Sequence, residues 1–367
     1  MTLPPGLRPL AAVLEAEQES GGGSDGESEN AASGGGSLAD LVVCIAHAST
    51  ALAREISRAA LSGRLGLEES MTPDGSPGPG PGDAAPPPRI NATGDLQKKL
   101  DVFANDLLVG ALVESGLVAG LVSEELDELK PVSCEREARF VLCIDPLDGS
   151  SNTDVNGAVG TIFGIYRRDL DGPCDPAREV LRAGAAQLAA GYVMYGASTL
   201  LVCTVGERVH GFTLEPERGE FLLSHPDLRC PERGTTLSAN LGRYGQWSPA
   251  VRGFVDRLAG IEGVGRVKQP AYSLRYSGTL VGDMHRTLIE GGIYFYPGDE
   301  QHAQGKLRLL YECAPLALIM ERAGGAATSG REPILAVRAE TLHQRTPFAI
   351  GSREEIALYE SFVGGGR

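Results

Sequence analysis

Phe140-Val141-Leu142-Cys143-Ile144-Asp145-Pro146-Leu147-Asp148-Gly149-Ser150-Ser151-Asn152 is the stretch that decides how this chain is read. Residues 140–144 form a short, unbroken apolar run, which predicts a strand buried on both faces, as in α/β proteins. The run ends abruptly at Asp145. Two carboxylates, Asp145 and Asp148, then fall within one turn of chain, with the Leu147 carbonyl between them. Oxygen donors so placed suit a hard cation such as Mg²⁺ or Mn²⁺. Gly149 permits a sharp turn, and Ser150 and Ser151 offer N–H and hydroxyl donors able to cradle a phosphate. An Asp-x-x-Asp pair alone reads more simply as a helix-capping loop. The full stretch behind a buried strand reads as a site.

Three other acidic places join it. Glu124 and Glu125 follow the apolar pair Leu121-Val122, so at least one of them stands near the end of a buried strand. Asp95, in Thr93-Gly94-Asp95, and Asp101 flank the start of an apolar-periodic segment, where a helix cap and an exposed acid are the plain readings. Glu312 sits between apolar stretches, where a helix-start carboxylate is the plain reading. If these groups converge, they must bind cations or protonate. Two like charges about 4 Å apart cost roughly 4 kcal/mol at an effective dielectric of 20.

Composition narrows the function. The 367 residues, 42% of them hydrophobic, exceed what one compact core usually carries. The formal charge of −15 argues against a nucleic-acid partner, which needs cations to meet phosphates. Seven Cys, an odd number without a Cys-x-x-Cys, argue against a zinc site or a disulfide framework and point to a reducing cytoplasm. No apolar stretch is long enough to span a membrane. Residues 1–37 hold six acids against Arg8, and their Gly/Ser-rich part predicts a disordered acidic tail. Helices are predicted over 38–61, 95–117 and 312–323, and strands over 159–166, 189–195, 199–205, 208–214, 220–223 and 293–296. Residues 72–89, rich in Pro and Gly, read as a long loop of the lid type.

With these residues in view, the chain resembles the class I fructose-1,6-bisphosphatases from about residue 38 onward. Asp145–Asn152 carries the resemblance together with Val159-Gly160-Thr161-Ile162-Phe163-Gly164-Ile165-Tyr166 and Thr93-Gly94-Asp95. Lys98-Lys99-Leu100-Asp101, Val122-Ser123-Glu124-Glu125, Asp283-Met284-His285-Arg286 and Gly305-Lys306-Leu307-Arg308-Leu309-Leu310-Tyr311-Glu312-Cys313 complete it. The resemblance implies an α/β fold, a layered αβαβα sandwich of the sugar-phosphatase type. It implies an N-terminal metal and regulatory domain over 38–228 and a C-terminal substrate-binding domain over 229–367.

It further implies hydrolysis of the 1-phosphate of fructose 1,6-bisphosphate, in gluconeogenesis or the Calvin cycle, with two or more Mg²⁺ ions, or Mn²⁺. Sedoheptulose 1,7-bisphosphate is the alternative substrate, and an inactive sugar-phosphate sensor the alternative outside enzymes. Glu124, Asp145, the Leu147 carbonyl, Asp148 and Glu312 look like metal ligands. Glu125, Asp101 and Asp95 look like the groups that activate water. Asp148, Gly149, Ser150 and Ser151 would hold the 1-phosphate. Asn240, Tyr276 and Tyr296 would hold the 6-phosphate, with Arg275 reaching from a neighbouring subunit of a homo-oligomer, as in the family's tetramers. Lys306 would contact the sugar. After Asn240 the chain reads Leu-Gly-Arg-Tyr, so the family's next tyrosine contact is Arg243, Tyr244 or absent.

Overall fold

The computed structural model describes residues 7–21, 36–68, 91, 97–261 and 272–364. Among them, the helices in chain order are α1 (Leu10–Gly21), α2 (Leu38–Ile56), α3 (Ala59–Ser62), α4 (Lys99–Glu114), α5 (Pro176–Val180), α6 (Pro249–Ala259), α7 (Leu280–Glu290), α8 (Ala314–Arg322) and α9 (Arg353–Val363). The strands β1 (Val118–Ser123), β2 (Lys130–Pro131), β3 (Phe140–Asp148), β4 (Val159–Arg167), β5 (Gln187–Tyr195), β6 (Thr199–Thr204), β7 (His210–Glu215) and β8 (Glu220–His225) form one sheet, ordered β2-β1-β3-β4-β5-β6-β7-β8. A smaller sheet has the order β10-β9-β11-β15-β13, from β9 (Thr236–Ser238), β10 (Ser273–Leu274), β11 (Ile293–Tyr296), β13 (Ala326–Thr328) and β15 (Phe348–Gly351). Strands β12 (Leu307–Arg308) and β14 (Arg345–Thr346) pair apart from both.

Five layers result, the αβαβα sandwich expected. Helices α2 and α4 cover one face of the large sheet through Leu41, Ile45, Leu52, Leu100 and Leu108. Helices α7 and α8 fill the space between the sheets through Val281, Met284, Leu316 and Ile319. Helices α6 and α9 close the outer face of the small sheet, with Phe254 packed edge-on and Tyr359 tilted against Phe295.

Strand β3 is buried throughout, as its apolar run predicts. Alternation sends Leu142 and Ile144 to the α2/α4 side, and Val141 and Cys143 to the middle helices. Asp145 follows on the middle side by the same period. Three residues on would be an odd step and would turn Asp148 away. The ladder with β4 slips between Asp145 and Asp148, where Asp145 faces Ile162 and Asp148 faces Gly160. This bulge brings both carboxylates to one side. Strands β1 and β3 are the parallel pair of this sheet, so their carboxyl ends coincide and place Glu124 beside Asp145. The Glu124 N–H donates to the Ile144 carbonyl at 3.2 Å.

Two expectations fail. Residues 1–37 are not a disordered tail throughout, because α1 is folded into the core. Leu10, Val13 and Leu14 recur at helical spacing and are 5%, 1% and 1% exposed. Pro9 bridges to Leu222, and Glu17 lies 3.3 Å from His210 Nε2 and 3.6 Å from Arg208. Residues 22–35 lie outside the described residues, as does the whole of the 72–89 loop. The cysteines are not all free either. Cys134 and Cys174 form a disulfide across 40 residues, with Cα atoms 5.8 Å apart. Cys174 had no partner in its own loop. The pairing depends on β3 and β4 lying side by side, which brings the segments before β3 and after β4 together. Arg168 steadies the same place, donating to the carbonyls of Cys134, Glu135 and Ala138.

Smaller differences concern element ends. Helix α2 stops at Ile56, where the Ser57 hydroxyl takes over the Arg54 carbonyl at 2.8 Å. The helix read over 312–323 begins with a π turn, Leu309–Cys313, and becomes α-helical at Ala314.

Candidate active site

A cavity of about 790 Å³ opens where the carboxyl ends of β1 and β3 meet the N-terminus of α7 and the π turn before α8. Glu124, Asp145, Leu147, Asp148 and Glu312 all line it. Asp145, Asp148 and Glu312 present oxygens within 4.8 Å of one another. These groups come from three distant parts of the chain, and each is delivered by a specific local device. Strand end and bulge place Glu124, Asp145 and Asp148. The π turn, a wider coil common at functional sites, turns Glu312 inward, where the Arg308 N–H donates to its Oε2.

Asp148 is gripped from the opposite side. Its Oδ2 accepts from Thr279 Oγ1 and from the Val281 N–H, both at 2.7 Å, and its Oδ1 from the Leu280 N–H at 3.3 Å. The Leu280 and Val281 donors are open N-terminal amides of α7, where the helix dipole favours an anion, and Thr279 is the N-cap before them. Gly149, at φ +72, makes the turn that follows. An added Cβ there would stand 2.7 Å from the Thr279 side chain, so the position tolerates little but glycine.

Burial and mutual repulsion push these carboxylates upward. Burial raises Glu124 well above the ordinary range, with Glu312 and Glu125 adding to it. Burial likewise lifts Asp145, helped by Glu124, Asp148 and Glu312. Asp148 is also raised by burial, despite its hydrogen bonds. Such a set fits one or more hard divalent cations. All donors are oxygens, they converge, and without a cation they repel.

The second acidic pair lies on the neighbouring wall. Glu125 accepts from Gln97 Nε2 at 2.6 Å and from Asn91 Nδ2 at 3.5 Å. Asp101, in the first turn of α4, accepts from the Lys98 N–H at 2.8 Å. Burial and the neighbouring Glu125 push Asp101 up to about 7. Asp95, the third residue expected here, lies outside the described residues.

Across the cavity the wall changes character. Ser150 and Ser151 extend the Asp148-Gly149 turn, and Asn240, Tyr276, Tyr296 and Lys306 line the same cavity. Arg243 lines it too, and Lys98 reaches the edge, paired with Asp154 at 2.6 Å. Arg275 stands apart. It is exposed beyond β10, does not line this chain's cavity, and donates to the Leu274 carbonyl at 2.9 Å. Sequence reasoning missed Thr279, Gln97 and Lys98 as supports. The one available signal was their place within or beside the motif blocks.

Raised carboxylates have a consequence for the metal-free protein. A folded-state pKa above the unfolded value gives stability that is complete at low pH and lost as pH rises through the folded pKa. For Asp101 that loss runs from its ordinary acidic range up to about 7. His285, buried and lowered to about 4, acts oppositely, but below its ordinary value of about 6.5. In EDTA, thermal unfolding should therefore occur at higher temperature at pH 6.5 than at pH 8, and Asp101→Asn should shrink the difference. A melting temperature that rises from pH 6.5 to 8 would contradict this.

Family models described as the N-terminal and C-terminal domains of fructose-1-6-bisphosphatase match residues 86–226 and 230–364. A protein of Acaryochloris marina named fructose-1,6-bisphosphatase class 1 is 51% identical over 327 residues, covering 89% of this chain and 92% of that one. Its counterpart in Trichormus variabilis is 43% identical over 332 residues, covering 90% and 87%. The crystal structure of Leishmania major fructose-1,6-bisphosphatase in holo form superposes with a TM-score of 0.82 at 36% identity, covering 98% of this chain and 99% of that one.

Proposed function

The chain belongs to the class 1 fructose-1,6-bisphosphatase family, phosphoric monoester hydrolases, and from that premise we propose that it removes the 1-phosphate of fructose 1,6-bisphosphate with the aid of Mg²⁺. The observation that carries the proposal is the single cavity. One end gathers oxygen donors for cations, and the other gathers phenols, an amide and cations for a second phosphate. Glu124, Asp145, the Leu147 carbonyl, Asp148 and Glu312 would hold the metal. When bound, it supplies neutralisation of phosphoryl charge.

The chain's own residues do the rest. Amides and hydroxyls of Gly149, Ser150 and Ser151 bind the oxygens of the 1-phosphate. Glu125 Oε takes the proton of the attacking water, and Gln97 fixes its orientation at 2.6 Å. Asp101, pushed up to about 7, can hold a proton beside it. Asn240, Tyr276 and Tyr296 bind the 6-phosphate. Burial pushes the Tyr276 phenol up to about 12, so it stays a neutral donor. Lys306 contacts the sugar.

We read residues 38–228 as the metal-carrying domain and 229–367 as the substrate-binding one. A homo-oligomer, a tetramer in the manner of the family, completes the reading. Arg275 is exposed and does not line its own chain's cavity, as suits a residue that serves a neighbour.

Phosphorus NMR of the products tests the reaction. Fructose 6-phosphate plus inorganic phosphate is the expected outcome. Release of the 6-phosphate, or saturable binding without turnover, would overturn it, the latter in favour of a sensor.

A further inference from the structure

We propose that Arg243 binds the distal phosphate of the substrate from within its own subunit, with Asp299 as its positioning residue. This rests on the reading of the cavity as a sugar-bisphosphate site.

The metal end of the cavity is anionic, and a bisphosphate lying across it must find cations at the other end. Asn240, Tyr276 and Tyr296 are neutral donors. Lys306 also lines the cavity but is read as the sugar contact, and Arg275 does not line this chain's cavity. Arg243 does, and it is about a quarter exposed, so it is open to a ligand while held through Nη1.

Its placement is built. Leu241–Gln246 is a 3-10 turn capped by Asn240, whose Oδ1 accepts from the Gly242 N–H at 3.2 Å. The cap ties Asn240 and Arg243 into one rigid unit on the cavity wall. Arg243 Nη1 then donates to Asp299 Oδ2 at 2.7 Å. Asp299 is no mobile surface acid, since its side chain is 1% exposed. Its other oxygen is taken by the N–H groups of Gln301 at 2.9 Å and His302 at 2.7 Å, and lies 3.3 Å from His302 Nδ1. One carboxylate oxygen is thus locked by its own turn and the other aims the guanidinium.

The geometry leaves donors over. Both hydrogen bonds of Arg243 among the described residues, to Asp299 and to Gln246 Oε1 at 3.3 Å, use Nη1. The Nε and Nη2 edge of the planar fork is the edge suited to two phosphate oxygens. An ordinary structural pair would hold the 298–302 turn against the 3-10 turn and nothing more. The two readings differ in what they predict for ligands that carry or lack the distal phosphate.

The test uses the full chain with Mg²⁺. Kd for fructose 6-phosphate, and kcat/KM for fructose 1,6-bisphosphate and fructose 1-phosphate, are measured for wild type, Arg243→Gln, Arg243→Lys and Asp299→Asn. Arg243→Gln should weaken fructose 6-phosphate binding by about ten- to hundredfold, the usual loss for a charge-assisted phosphate contact. Its loss on the bisphosphate should exceed that on fructose 1-phosphate by at least about tenfold. Asp299→Asn should raise KM by a smaller factor and leave kcat nearly intact, as befits a positioning residue. Arg243→Lys keeps the charge but not the fork, so it should fall between. It also carries the test if the Gln variant does not fold. Unchanged fructose 6-phosphate binding, or equal losses on both substrates, would overturn the assignment. A wild-type chain that binds fructose 6-phosphate but releases no phosphate would instead contradict the proposed reaction, and leave Arg243 to be judged by binding alone.

Discussion

Glu125→Gln is expected to lower kcat by about 10²–10⁴-fold with little change in KM, the range that loss of a general base produces. The substitution is isosteric, so cavity shape and metal ligands are preserved. Two things are lost. The amide cannot accept a proton from water, and its NH2 group would confront the Gln97 Nε2 donor that now sits 2.6 Å from the carboxylate. The amide must then flip or turn away. Both effects act on the chemical step rather than on substrate affinity. The plain alternative, a surface acid at the end of β1, predicts nearly unchanged kcat. Retention of more than half the wild-type kcat would favour it.

Asp148→Asn should be as damaging for a different reason. Asp148 faces two ways, toward Asp145 and Glu312 on one side and toward the α7 amides on the other. An amide there removes a negative charge from the cation site. It also sets an NH2 group against donors from Thr279, Leu280 or Val281. Outer supports of metal sites already cost about 10–100-fold when lost, so loss of a proposed ligand should cost at least about a hundredfold in kcat and weaken half-saturation by Mg²⁺. Folding should survive, because removing one of several crowded carboxylates relieves repulsion in the metal-free state. An active variant with unchanged Mg²⁺ dependence would remove Asp148 from the metal site.

Much of this was legible in the sequence because the residues that matter are grouped with backbone signals. The apolar run 140–144 announced β3, and its abrupt end announced the site. The adjacent acids at 124 and 125 gained meaning from the apolar pair before them. What the linear chain could not show was how Asp148 turns back to the side of Asp145. That depends on a ladder slip against β4, and a bulge leaves no periodic signal of its own.

The errors have equally physical causes. Helix α1 was hidden because Leu10, Val13 and Leu14 form a stripe little more than one turn long beside a Gly/Ser-rich run, and its stability comes from docking on β8 and α2. Cys134 and Cys174 meet across 40 residues through strand pairing, which Cys spacing cannot show, so the argument for a reducing compartment from unpaired thiols does not hold for them. Arg243 stood in view, but its role could not be chosen over Tyr244 until Asp299, 56 residues later, was seen to aim it. Tyr244 instead gives its hydroxyl to Asp256 at 2.7 Å.

The converging carboxylates predict that turnover of a sugar bisphosphate by this chain requires a divalent metal. Phosphate release from fructose 1,6-bisphosphate, measured on chain stripped with EDTA and then resupplied with Mg²⁺, tests it most directly. No turnover is expected in the stripped protein, with recovery on addition of Mg²⁺ or Mn²⁺. Full activity in EDTA after dialysis would contradict it.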